Sequence, residues 1–267
     1  MKEDRLRGSG DAFFASCDTF FLPSHTKGDF FMSRISSSKA SNTQGIKRLV
    51  IAALFAALAY AATLLTAWIR VAGFLTFDAK DTLVTIAGLV LGPIYAIVIS
   101  FTVSLIEIIF LPETGFWGFL MNFLSTAAFS AVCALIYKYK KNIKGACIGL
   151  VASVFSMTAM MVLLNLIVTP IYTGMPTATI AAMIPTLFLP FNFTKAVLNA
   201  ALVLILYKPF SRALKATKML ESKPSQNTVD KKSQMATNII IFAIGLVLVA
   251  ASIAVFIFVL GGDFTLG

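Results

Sequence analysis

The sequence predicts an all-α integral membrane protein: a six-helix bundle with one short second helix, plus an extra C-terminal transmembrane helix. Three observations carry this. Of 267 residues, 58% are hydrophobic and only 13% charged, and the mean hydropathy is +0.87, whereas a solvated domain carries about 25% charged residues. Apolar runs of about 20 residues, enough to cross a bilayer as helices, recur along the chain. The basic residues lie in short segments between those runs. Together these features exclude a soluble fold, a disordered chain and a collagen-like fibre. The net charge of +10 therefore reads as membrane orientation and not as a nucleic-acid surface. Cys17, Cys133, Cys147 and the single His25 fit neither a disulfide framework nor a zinc site, so no metal is expected.

Residues 1–46 contain no span and no signal peptide, since no apolar stretch precedes a small-residue cleavage site. They are expected to be a disordered N-terminal extension, or an upstream extension of the reading frame with Met32 as its alternative start. The membrane core is expected over 47–207. Its first helix follows Lys47-Arg48 and runs from Leu49 to about Ile69. A loop, Arg70 to Asp81, carries Phe77, Asp78, Lys80 and Asp81. Thr82 to Ile106 is uncharged but interrupted by Gly92-Pro93. Proline suits the first turn of a new helix, so this stretch reads as a short helix 82–91, too short to span, and a second over 93–110.

The fourth helix is expected from Phe116 to Tyr137, followed by a hairpin with Lys138, Lys140, Lys141 and Lys144. The fifth covers Ala146 to Val168. The sixth runs from Thr179 to Tyr207 and contains Pro185 and Pro190. A basic linker, 208–237, leads to an accessory transmembrane helix, 238–260. Segments rich in Lys and Arg stay in the cytoplasm. This rule places Lys47-Arg48, the 138–144 hairpin and the linker inside, and the loops 70–81, 111–115 and 169–178 outside. The protein is then a multi-pass plasma-membrane protein with a cytoplasmic N-terminus, and Gly262 to Gly267 lie outside.

Ionisable groups in a bilayer are expensive, so each is a candidate for function. Two stand out, Glu107 and Lys195; between Lys144 and Lys195 the chain carries no charge at all. Counting along the helices puts Glu107, Asn122, Ser125, Asn165, Asn192 and Lys195 at one depth, towards the outer surface. Asn192, Lys195 and Asn199 share one helix face by their spacing. Aromatic residues near that depth are Trp68, Phe74, Phe77, Phe116, Trp117, Tyr172 and Phe191. Amides, a cation and aromatic rings suit a flat heteroaromatic ligand with hydrogen-bonding edges. A helix broken by Pro185 and Pro190 is a common way to line such a cavity. On the first helix, Ala52, Ala53, Ala56, Ala57, Ala61 and Ala62 repeat at helical spacing, and small residues let a partner helix approach closely.

No phosphate-binding loop and no hydrolase motif is present, so an engine must come from another subunit. Two further functions fit the same residues. One is a membrane-embedded enzyme with Glu107 and Lys195 as acid and base. The other is an adaptor in which Lys195 pairs with Glu107 and binds no ligand.

The stretch Leu189-Pro-Phe-Asn-Phe-Thr-Lys195, with Asn199 and Leu206-Tyr-Lys208, resembles the last core helix of riboflavin-binding S components of energy-coupling factor (ECF) transporters. Glu113-Thr-Gly-Phe-Trp-Gly-Phe-Leu-Met-Asn-Phe123 is similar to their fourth helix, and Leu163-Leu-Asn-Leu-Ile-Val-Thr-Pro170 with Tyr172 to their fifth. The resemblance covers roughly residues 46–215. It implies the six-helix S-component bundle and a non-enzymatic subunit that captures riboflavin outside. The ECF transmembrane coupling protein and two ECF ATPases, which use the ATP, would then complete the importer; the chain itself has no cofactor. By the same resemblance Asn165, Asn192 and Lys195 hydrogen-bond the isoalloxazine edge. Phe77 and Asp78 lie in a lid-like first loop, and Ala52, Ala53, Ala56, Ala57 and Ala61 face the coupling protein. Depth reasoning adds Glu107 and Asn122 to the ligand site, and the fifth-helix match adds Tyr172. The N-terminal extension and the helix 238–260 have no counterpart in that pattern. The same fold carrying another vitamin also fits.

Overall fold

The computed structural model describes residues 27–66, 70–71, 75–110, 115–216 and 231–258. The chain divides into two compact units, Met1–Ile46 and Lys47–Gly267. Helix α1 is Lys27–Thr66. Residues 1–26 of the expected extension lie outside the described residues, but 27–46 are helical where the sequence led to an expectation of disorder. No proline falls between Pro23 and Pro93 to stop a helix there.

The second unit is a bundle of apolar helices. Five stretches among the described residues are long and apolar enough to cross a membrane: Gln44–Thr66, Pro93–Phe110, Gly115–Tyr139, Lys144–Thr173 and Thr177–Phe210. A short sixth helix, α2 (Lys80–Leu91), is buried along most of its length, from Lys80 through Leu89. It starts two residues before the expected 82. Before it, Arg70–Val71 (β1) pairs antiparallel with Leu75–Thr76 (β2), with Arg70 opposite Thr76. Trp68, Phe74 and the tip of that loop lie outside the described residues.

Helix α2 ends where the sequence places its end. Gly92 has φ +112°, a conformation that side chains other than glycine resist, and its N–H bonds Gly88 O at 2.8 Å. Pro93 then opens α3 (Pro93–Phe110). Gly88 lets α2 sit against two neighbours: a Cβ there would lie 2.9 Å from Ala96 Cβ and 3.1 Å from Ala134 Cβ. Helix α4 (Gly115–Tyr139) and α5 (Ile143–Thr173) follow. The Asn142 side chain caps α5 by accepting from Gly145 N at 2.7 Å, and Gly174, at φ +70°, terminates it.

The sixth apolar run breaks as its prolines require. Helix α6 (Thr177–Met183) passes into a π-helical turn, Ile184–Phe188, and then α7 (Leu189–Ala216). Pro190 has no N–H and its ring presses on the carbonyl one turn back, so the local ladder widens and Leu189 N–H reaches Ile184 O. Helix α7 extends into the expected linker as far as Ala216; residues 217–230 lie outside the described residues. Helix α8 (Lys231–Phe258) follows, and residues 259–267 lie outside the described residues.

The main core draws on α1 (Ile51, Phe55, Ala59), α2 (Val84, Ile86), α3 (Ile99, Val103), α4 (Phe129, Cys133), α5 (Leu150, Met157) and α7 (Ala196, Val203). Leu54, Leu58, Ile97, Phe101, Phe155 and Ile167 are exposed, as apolar side chains facing lipid tails are expected to be.

Candidate functional site

Helices α1, α2, α3, α4, α5 and α7 all bring polar side chains into the bundle. On α7, Asn192, Lys195 and Asn199 share one face and are 1%, 7% and 0% exposed. Asn192 Nδ2 donates to Phe188 O at 2.8 Å, in the π-helical turn, and its Oδ1 has no partner among the described residues. Lys195 Nζ donates to Asp78 Oδ2 at 2.8 Å, while Asp78 Oδ1 has no partner among the described residues. Asn199 Nδ2 donates to Asp78 O and to Lys195 O, each at 3.2 Å, and its Oδ1 accepts from Thr82 Oγ1 at 2.7 Å. The segment carrying Asp78 is thereby tied to α7 by main chain and side chain together. Burial opposes ionisation of Asp78, but the Lys195 and Lys80 charges prevail and hold its carboxyl below the usual range.

A second ionic group lies beside the first. Lys80 Nζ donates to both oxygens of Glu107, at 2.7 and 2.6 Å. Thr63 Oγ1 donates to Glu107 Oε1 at 3.1 Å and Asn122 Nδ2 to Oε2 at 3.2 Å. Four elements, α1, α2, α3 and α4, meet at this one carboxylate. Asp81 Oδ1 accepts from Thr126 Oγ1 at 2.6 Å, and its Oδ2 has no partner among the described residues. Burying charges singly is prohibitive, and pairing with saturated hydrogen bonds is what makes such a core tolerable.

The geometry revises several expectations. The pair Glu107–Lys195, on which both the enzyme and the adaptor readings rested, is not formed: each residue has a different partner, Lys80 and Asp78. Glu107 and Asn122 do meet, but with each other. Asn165 is buried, yet its bonds stay on α5, to Met161 O at 2.7 Å and from Thr169 Oγ1 at 3.1 Å. Tyr172 is 40% exposed. Phe77 is buried against Phe191 and Leu198. Lys80 and Asp81, assigned to a loop by sequence, are buried in the first turn of α2, and Thr63, Thr82 and Thr126 join the network. The signal for them was Asp78-x-Lys80-Asp81 directly before an uncharged run, a charge cluster entering the bundle with its helix.

The alanine face of α1 divides. Ala52 and Ala56 pack in the core, while Ala53, Ala57 and Ala61 are exposed. An i, i+4 repeat identifies a stripe, but adjacent stripes 100° apart look alike in an alanine-rich helix. The exposed small face is therefore the narrower one of Ala53, Ala57 and Ala61.

The family model for the substrate-specific component of ECF transporters matches residues 47–207. The chain is 29% identical over 182 residues to the riboflavin transporter RibU of Staphylococcus aureus (strain TCH60), a match covering 65% of this chain and 95% of that protein. Among solved structures, it resembles the S component of a bacterial ECF transporter, with TM-score 0.55 and 26% identity over 64% of this chain and 99% of the other. The family match takes in both ionic groups, the polar face of α7 and the broken sixth run. The chain belongs to the family of substrate-specific components of ECF transporters.

Proposed function

We propose that the protein captures riboflavin at the outer side of the membrane and passes it inward with a separate ATP-driven ECF module. The observation that carries this reading is the polar face of α7. Asn192 Oδ1 is a buried acceptor with no partner among the described residues, and Lys195 donates to Asp78 Oδ2. An ammonium has three protons to donate. A flat heteroaromatic ring with alternating N–H and C=O groups along one edge meets that pattern: its N–H reaches Asn192 Oδ1 and a carbonyl takes a proton of Lys195. Asn165 stands ready on α5 if its amide leaves Met161 O. The family and the riboflavin-transporting relative support the same ligand.

Glu107 and Asn122 act in this reading as support. Both Glu107 oxygens are already engaged, so the pair fixes Lys80 and the start of α2, and hence the segment carrying Asp78. The protein's partners in this reading are a transmembrane coupling protein and two ATPases, and the exposed Ala53–Ala57–Ala61 stripe is the surface on α1 where a helix can approach most closely.

The test is to purify the full chain in mild detergent, record flavin absorbance, and titrate riboflavin while following its fluorescence. Saturable one-to-one quenching, or a yellow preparation whose colour scales with protein, supports the reading. A colourless protein that leaves riboflavin fluorescence unchanged overturns it.

A further inference from the structure

Helix α8 lies outside the matched residues 47–207, yet it is packed into the bundle. Its contacts fall on one stripe. Ile241 lines a cleft with Tyr207 and Lys208 in the C-terminal half of α7. A Cβ on Gly245 would lie 2.8 Å from Ile205 Cγ1 and 3.4 Å from Ala201 O, so this glycine permits close approach of the two helices. Val249 packs on the apolar cluster of Phe77, Phe191 and Leu198, and Ser252 is buried. Contacts that advance along α8 while retreating along α7 define an antiparallel pair. The steps of four and three residues are those of a helix–helix seam.

The cluster that Val249 touches is the apolar backing of the polar site. Each of its members immediately precedes a polar residue already described: Phe77 precedes Asp78, Phe191 precedes Asn192, and Leu198 precedes Asn199. Phe77 alone comes from outside α7, and its burial holds the segment 77–79 against that helix. We infer that α8 is a positioning element of the substrate site: through Val249 it braces Phe77, and through Phe77 it holds Asp78 on Lys195 and Asn199. This rests on the substrate reading above for its ligand, but not for its geometry. Trimming Val249 removes packing behind Phe77, so the segment opens more often and bound ligand escapes sooner. Affinity changes within one site are expressed mostly in the dissociation rate.

The experiment uses the full chain in nanodiscs and reads riboflavin dissociation by stopped-flow fluorescence. Val249→Ala is expected to raise the dissociation rate about threefold or more with a smaller change in association, and Val249→Ile to restore it. Val247→Ala, at a site 68% exposed on the same helix, is the control and leaves the rate unchanged. A second readout needs no ligand. With Cys17→Ala, Cys133→Ala and Cys147→Ala as background, Ala79→Cys is labelled by an impermeant maleimide, and labelling is expected to accelerate when Val249→Ala or Gly245→Leu is added. Wild-type rates in both assays for both α8 variants overturn the inference while leaving the substrate reading intact. Faster labelling in a protein that binds no riboflavin supports the brace and overturns the substrate reading.

Discussion

Lys195 is held by one carboxylate oxygen at 2.8 Å and is buried with it, so its removal has two consequences that separate experimentally. Lys195→Ala takes away a ligand donor and is expected to weaken riboflavin binding at least tenfold, about 1.4 kcal/mol. It also strands Asp78, and breaking a buried pair costs about 3–5 kcal/mol. The double variant Lys195→Ala with Asp78→Asn is expected to recover most of the thermal stability and none of the affinity. Recovery of both together would mean that Lys195 matters to binding only by keeping the fold. Glu107 gives the opposite expectation. With Lys80, Thr63 and Asn122 all on its oxygens, Glu107→Gln is expected to lower the melting temperature and to weaken riboflavin binding by less than the tenfold expected of Lys195→Ala. A tenfold loss of affinity without a loss of stability would return Glu107 to the ligand site. At this scale the sequence disclosed Glu107, Asn165, Asn192 and Lys195 as buried but not who pairs with whom. Counting residues from a helix end gives depth and leaves the azimuth undetermined, so Glu107 and Lys195 at one depth looked like partners. The intervening Lys80 was hidden by the assumption that a charged stretch before an apolar run is a loop.

The element boundaries set by glycine and proline were the most legible feature, because each follows a local rule. Gly92-Pro93 separates α2 from α3 through a positive φ and a proline at the first helical position. Pro185 and Pro190 produce the π-helical turn in front of Asn192. What eluded the pattern was the rotation of a helix whose faces are nearly identical, and α1 shows it. Ala56 is buried and Ala57 exposed, one residue apart and chemically the same. Substituting them therefore discriminates fold from docking. Ala57→Phe, on the outer stripe, is expected to leave riboflavin affinity and melting temperature near wild type. It abolishes riboflavin uptake into vesicles that also hold the coupling protein and ATPases, because a helix no longer fits closely there. Ala56→Phe overpacks the core by about 1–3 kcal/mol or more and lowers stability even in the isolated protein. Uptake at the wild-type rate by the Ala57→Phe protein would move the docking surface off this face of α1.

The proposed function needs the polar face of α7 on the substrate side and its basic end towards the partner module, and charge predicts such an orientation. Lys138, Lys140, Lys141 and Lys144 cluster at the junction of α4 and α5, and Lys208, Arg212 and Lys215 in the last turns of α7. Lysine and arginine tend to be retained in the cytoplasm, so both clusters are expected to lie inside and the start of α7, with Asn192 and Lys195, outside. Helix α8 then has a fixed direction. Its Ile241 sits by Tyr207 at the basic end and its Val249 against the cluster of Phe77, Phe191 and Leu198 near the start of α7, so on that orientation it is expected to run outward. A short epitope appended after Gly267 is expected to be labelled by antibody on intact cells, and one inserted between Lys141 and Asn142 only after permeabilisation. An epitope after Gly267 that, like the one after Lys141, is reached only in permeabilised cells would mean that α8 does not run antiparallel to α7. Val249 could then not stand behind Phe77, and the brace on Asp78 would fall with the topology.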